Sequence, residues 1–275
     1  MTTTMSDASN IPVFVLCGGL GTRLAEETVR QPKPMVPIGR FPILWHIMEY
    51  YGHYGFRKFV LCTGSKSEII KSYFLSHVSL NSDFTVNLES NEIKTVSGFN
   101  RKDWDVTVLD TGELTMTGGR VARACETYLN AIGSFGHFAV TYGDGLTDAD
   151  LTKELDHHLS RNQLGTVLGV APPSRFGEFK LDGNEVLEFV ERPEFEDKWI
   201  NGGYFFFDRG FLEYLSKDEA CVLERKPLAE LARNRQLNVY RHDGFWACMD
   251  TQRDRSYLEG LWASGKAPWA KWARD

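Results

Sequence analysis

Short apolar runs alternate with stretches of helical periodicity along most of this chain. Ile11 to Cys17 is a continuous apolar run, the pattern of a strand buried on both faces of a parallel sheet. It ends in a cluster of glycines. After a polar, proline-rich stretch, Ile43 to Tyr54 carries Ile43, Ile47 and Tyr50 on one helical face. Arg57 to Thr63 predicts a second strand and Ser67 to His77 a second helix. Between about Phe84 and Gly119 the pattern loosens into strand-like pieces, Phe84–Leu88 and Val106–Leu109, separated by polar turns. A helix over Val121–Ala131, a strand over His137–Tyr142 and a helix over Asp150–Ser160 restore the alternation. Then Thr166–Val170, Glu178–Leu181, Val186–Val190 and Tyr204–Phe207 follow closely as short strands, the spacing of an antiparallel portion. A helix near Pro227–Asn234, a strand over Leu237–Arg241 and a helix near Arg253–Trp262 come last.

This order predicts an α/β protein: a Rossmann-like, mixed but mainly parallel sheet flanked by helices, with a smaller, partly antiparallel portion. Residues 1–10 read as a flexible, Thr/Ser-rich lead without the apolar segment of a secretory signal. Residues 11–275 carry no linker or repeat and are expected to form a single domain, its parts meeting near residue 150. The 275 residues are 42% hydrophobic and 25% charged, which excludes a disordered chain or a disulfide scaffold. A net charge of -6 lacks the basic footprint of a nucleic-acid or membrane-surface binder. The five cysteines form no CxxC pair, so a zinc ribbon or dithiol site is excluded, and they read as small buried residues in a reducing compartment. The longest apolar stretch, around Phe41 to Tyr51, is broken by His46 and Glu49 and is too short to span a bilayer. A cytoplasmic location is expected.

Glycines directly after a buried first strand let the chain turn tightly and bring backbone N–H groups close to an anion. The Walker A pattern fails here, because no Gly-Lys-Ser/Thr triplet occurs. The dinucleotide pattern fails as well, because Leu24 stands where its third glycine is needed. What remains is Leu16-Cys17-Gly18-Gly19-Leu20-Gly21-Thr22-Arg23-Leu24, followed by Pro32-Lys33-Pro34-Met35. These segments resemble the signature loop of the sugar-phosphate nucleotidylyltransferases. Cys17 replaces the usual alanine, a small-for-small exchange. The resemblance implies that residues 16–23 and Lys33 hold a nucleoside triphosphate. Arg23 and Lys33 would offset the repulsion between two anionic substrates and the charge that develops in transfer.

Magnesium takes hard oxygen ligands, typically one or two carboxylates plus substrate phosphates. Asp144 lies in Tyr142-Gly143-Asp144-Gly145 just beyond an apolar strand, where open α/β sheets place ligands, and Asp250 again follows an apolar stretch. By itself Gly-Asp-Gly is also a common turn. The resemblance assigns both aspartates to Mg2+, with Arg23, Lys33 and Asp144 as catalytic groups and Gly143 beside the nucleotide. It assigns Tyr142, Glu191, Arg192, Asn201 and Gly202 to the sugar phosphate. Arg192 stands where the family usually has lysine, keeping the charge but changing a compact ammonium for a planar fork. Asn201-Gly202-Gly203 also reads as a hairpin turn.

The segment Asp110–Arg120, with Pro42–Met48, Asp243–Trp246 and Ala267–Trp269, resembles the branch of the family that joins CTP to glucose 1-phosphate. That implies Thr115 and Arg120 at the nucleotide, across a possible contact in a homo-oligomer; Thr117–Arg120 also reads as a turn leading into a helix. The alternatives are the same transfer with UTP or dTTP, or onto another sugar 1-phosphate, and a nucleotide-sensing protein that has lost turnover. The adjacent His157 and His158 point apart on a helix, and Trp262, Trp269 and Trp272 read as core or contact anchors rather than base-stacking platforms.

Overall fold

The computed structural model describes residues 8–19, 28–97, 102–171, 178–190 and 199–273. Its strands are, in chain order, β1 (Pro12–Leu16), β2 (Pro37–Ile38), β3 (Phe41–Pro42), β4 (Lys58–Thr63) and β5 (Asp83–Val86). There follow β6 (Ile93–Ser97), β7 (Asp105–Asp110), β8 (His137–Tyr142), β9 (Gly145–Thr147) and β10 (Gly165–Val170). The last are β11 (Glu178–Asp182), β12 (Glu185–Val190), β13 (Ile200–Asp208), β14 (Leu237–His242) and β15 (Trp246–Cys248). A seven-stranded sheet runs in the order β14-β10-β13-β8-β1-β4-β7. Every neighbour pair in it is parallel except the two made by β13.

The continuous apolar run of β1 is buried on both sides, as its pattern predicts. Val13 and Val15 enter one core together with Ile47, Tyr51, Leu61 and Phe206. Phe14 and Leu16 enter the other with Val60, Val140, Phe205 and Val121. Helices Ile43–His53, Leu151–Ser160 and Gln252–Ala263 cover the first face, whereas Thr117–Ala131 and Lys226–Arg233 cover the second. Asp150 caps its helix by accepting from the backbone N–H groups of Thr152 and Lys153, and Thr251 with Asp254 forms a capping box at the last helix.

The antiparallel portion takes a more specific form than the strand spacing suggests. β10 and β14 join the main sheet in parallel, because the helix Lys226–Arg233 carries the chain back before β14 pairs with β10. Antiparallel pairing is confined there to β13, with β11–β12 as a separate hairpin. Short strands missed by periodicity, β9 and β15, pair antiparallel beside the main sheet.

β1 leads through a helix to β4 on one side, while β8 lies on its other side. The strand order therefore reverses between β1 and β8, and a crevice opens beyond their carboxyl ends. Among the described residues no helix is long and apolar enough to cross a membrane.

Candidate active site

The chain leaves β1 as Cys17-Gly18-Gly19 and leaves β8 as Gly143-Asp144, side by side at that crevice. The two exits are tied: Gly143 N–H donates to the Leu16 carbonyl at 3.1 Å. A Cβ on Gly143 would lie 2.7 Å from that carbonyl oxygen and 2.8 Å from Pro34 Cγ, so only glycine permits this approach. The 3-10 turn Lys33–Met35, with proline before and after its lysine, holds Lys33 across the gap.

Lys33 Nζ donates to Asp144 Oδ2 at 2.6 Å and to Asp250 Oδ1 at 2.7 Å. Residues 111 and 217 positions apart from the lysine thus meet on one ammonium. The link between the aspartates runs through the small ladder: Cys248 pairs with Gly145, and Met249 N–H donates to the Asp144 carbonyl at 2.8 Å. Burial alone would push the Lys33 ammonium down, but the Asp144 and Asp250 carboxylates outweigh it and hold its pKa above the ordinary lysine value. The lysine side chain is 15% exposed and the two carboxylates 26% and 27%, so the cluster is partly sheltered yet open to a ligand.

A cavity of about 380 Å³ opens over this cluster, bounded by residues 16–19, Lys33, Thr117, Tyr142, Gly143 and both aspartates. A larger, more apolar groove of about 860 Å³ lies elsewhere, between Trp45, Phe74 and Trp104; it holds no carboxylate pair. The smaller cavity has the donor set that suits two phosphate-bearing substrates. Its carboxylates also suit magnesium, which needs only one or two from the protein. Among the described residues no group of three or more His, Cys, Asp and Glu forms a full protein cage for a metal.

Leu16, Cys17, Gly18, Gly19, Lys33, Tyr142, Gly143, Asp144 and Asp250 therefore come together as expected residues of one site. Asn201 is adjacent, donating through Nδ2 to the Tyr142 hydroxyl at 3.0 Å, and Gly202 accepts from Trp246 Nε1 at 2.7 Å. Leu20, Gly21, Thr22, Arg23, Glu191 and Arg192 lie outside the described residues. Thr115 and Arg120 are not brought into the cavity wall. Thr115 Oγ1 accepts from Arg123 Nη1 at 2.8 Å, and Arg120, 2% exposed, packs beneath Gly18. The Arg120 guanidinium donates to Thr63 O, Thr111 Oγ1, Gly112 O and Glu113 O at 2.7–3.1 Å.

Two residues escape sequence reasoning. Thr117 lines the cavity, and Glu224 accepts hydrogen bonds from both Thr117 and Tyr142. Thr117 had only its place in a Thr-Gly-Gly-Arg run to mark it, and Glu224 had no motif at all. The Cys17 thiol is buried and pushed up by that burial, which removes thiolate character from the loop. All five cysteines are free, His157 and His158 bond to Asn238 and Thr166, and Trp269 is a core residue donating to His46.

Known proteins resemble this chain along most of its length. A family profile described as nucleotidyl transferase matches residues 13–259. The glucose-1-phosphate cytidylyltransferase of Salmonella typhi is 42% identical over 258 residues, covering 94% of this chain and 98% of that protein. The protein of the same name from Salmonella typhimurium is also 42% identical, with the same coverage. Among solved structures, HddC from Yersinia pseudotuberculosis superposes with a TM-score of 0.64 at 21% identity, over 92% of this chain and 99% of that one, a likeness of fold. This chain belongs to the nucleotidyl transferase family.

Proposed function

We propose that the protein is a glucose-1-phosphate cytidylyltransferase, joining CTP and glucose 1-phosphate to give CDP-glucose and pyrophosphate. The observation that carries this reading is the Lys33–Asp144–Asp250 cluster at the carboxyl edge of β1 and β8, at 2.6 and 2.7 Å. The cytidylyltransferases of Salmonella, 42% identical over nearly their whole length, select the nucleotide and the sugar.

In this reading the phosphate oxygen of glucose 1-phosphate attacks the α-phosphorus of CTP. The bond from that phosphorus to the bridging oxygen breaks, and pyrophosphate leaves with the electron pair. The attacking oxygen is already anionic, so no protein base is required, and positioning with charge stabilisation carries the reaction. Magnesium, when bound, supplies positive charge against the phosphate oxygens. Asp144 and Asp250 would hold it, and Lys33 would exchange part of its ion pairing for the triphosphate. The glycine loop of residues 16–23 presents backbone N–H groups to the phosphates, with Arg23 adding charge. Arg120 acts from below, fixing the loop at Gly18 and the segment Thr111–Glu113. Tyr142, Asn201 and Gly202 face the sugar, and the family resemblance gives Glu191 and Arg192 to the same substrate. The chain up to about residue 150 carries the nucleotide contacts and Tyr142 on the sugar side, and the remainder carries the other sugar contacts and Asp250.

A cytoplasmic homo-oligomer is part of the same proposal. Exposed Leu75, Leu80, Leu88, Ile93 and Val96 give the helix Ser67–Leu80 and the β5–β6 hairpin an apolar surface suited to a second copy. Pyrophosphate release from CTP, UTP or dTTP with glucose 1-phosphate and magnesium tests the reaction. Release that requires both CTP and glucose 1-phosphate supports it; release from CTP alone, or none with any pair, defeats it.

A further inference from the structure

Glu224 joins the two walls of the cavity without lining it. It lies just before the helix Lys226–Arg233, on an exposed stretch. Its Oε1 accepts from the Tyr142 hydroxyl, and its Oε2 accepts from Thr117 Oγ1 at 2.7 Å. Thr117 Oγ1 in turn accepts from Leu223 N–H at 2.9 Å. On the other arm, the Tyr142 oxygen accepts from Asn201 Nδ2 at 3.0 Å, and Asn201 Oδ1 accepts from Gly203 N–H at 2.8 Å.

An ionised carboxylate only accepts, so it dictates the direction of every proton in this chain. The Tyr142 O–H must point at Glu224, which leaves its oxygen as an acceptor for Asn201. The Gly203 N–H independently requires the Asn201 carbonyl on its own side, and the two demands agree. Among the described residues Asn201 is left with one N–H and one carbonyl lone pair, the complement of a sugar hydroxyl, which both donates and accepts.

We infer that Glu224 is a positioning residue for the sugar phosphate, holding Tyr142 and Asn201 in the one donor–acceptor order that receives a glucose hydroxyl. The inference rests on the proposed function. A carboxylate this exposed adds little to stability, so its role is read in substrate handling rather than in folding.

The test is steady-state kinetics of Glu224→Ala, Glu224→Gln, Tyr142→Phe and the double variant Glu224→Ala/Tyr142→Phe, varying each substrate separately. Glu224→Ala raises the glucose 1-phosphate KM about tenfold, the loss expected of one hydrogen bond to a charged group. Its CTP KM and unfolding midpoint stay near wild type, because Thr117 keeps its bond from Leu223. Glu224→Gln, which still accepts from Tyr142, recovers most of the loss, and the double variant is no worse than the poorer single variant. An unchanged sugar-phosphate KM in Glu224→Ala, or losses that multiply in the double variant, overturns the inference. If the wild type uses a different sugar 1-phosphate, the same variants are read with that substrate, so a wrong substrate and a wrong role for Glu224 give separate results. A wild type inactive with every pair overturns both.

Discussion

Arg120 sits so tightly under Gly18 that a Cβ there would fall 2.1 Å from its Cζ. The guanidinium cannot step aside cheaply, because it is buried and committed to three backbone carbonyls and Thr111 Oγ1. Gly18→Ala therefore must either break those bonds or lift the loop from the cavity floor. Unfolding in urea should show a loss of about 1.5–3 kcal/mol for Arg120→Ala, whose charge-assisted bonds disappear. Combined with Gly18→Ala, the total should be clearly less than the sum of the two single losses. Strict additivity would mean that the two residues are not in contact.

Lys33 bridges two carboxylates and offsets their mutual repulsion. Lys33→Ala should lower kcat about tenfold to a hundredfold, the cost of a charge-assisted contact in the transition state. It should also weaken CTP more than glucose 1-phosphate. A rise confined to the glucose 1-phosphate KM would contradict the triphosphate assignment.

Asp144→Asn keeps the shape of the side chain but removes a charge from the carboxylate pair. Turnover should nearly vanish while the circular dichroism spectrum and unfolding midpoint stay close to wild type. Near wild-type rates at saturating magnesium would remove Asp144 from the metal site.

Glu154, on the helix Leu151–Ser160, is fully buried, and among the described residues neither carboxylate oxygen has a hydrogen-bond partner. Burial pushes its pKa from 4.5 up to about 8. Between those values the native state holds a proton that the unfolded chain releases. Its contribution to stability is therefore intact below the unfolded value, declines as the pH rises, and is lost once the pH passes about 8. Glu154→Gln has no such proton to lose. Urea unfolding from about pH 5 to about pH 9 should show the variant gaining on wild type as the pH rises and levelling off above about pH 8. Parallel stability curves would contradict a buried neutral Glu154.

The apolar pattern marks the strands that frame the crevice, because β1 is an unbroken apolar run and β4 and β8 carry buried apolar centres, Phe59–Cys62 and Phe138–Val140. Glycine chemistry and isolated carboxylates then marked Gly18, Lys33, Asp144 and Asp250. What brings the aspartates together was not legible. β9 and β15 are three residues each, too short to show a period, yet their pairing sets Asp250 beside Asp144. The β5–β6 hairpin was half missed because both of its faces are exposed, so neither strand alternates against a core. The family resemblance makes Arg120 a nucleotide contact, whereas its burial under Gly18 depends on Gly64 and the Thr111–Glu113 turn, which only the folded chain assembles. Glu224 lies in a run with Arg225 and Lys226 that reads as ordinary solvated surface; its two bonds to the cavity walls are purely tertiary.

The most direct measurement is a competition. The wild-type protein is given equal concentrations of CTP, UTP and dTTP with glucose 1-phosphate and magnesium, and the nucleotide sugars are separated and identified by mass spectrometry. CDP-glucose is the expected dominant product, formed in step with pyrophosphate and lost when Asp144→Asn replaces the wild type. Predominant UDP-glucose or dTDP-glucose, or CDP-glucose that persists in Asp144→Asn, would contradict it.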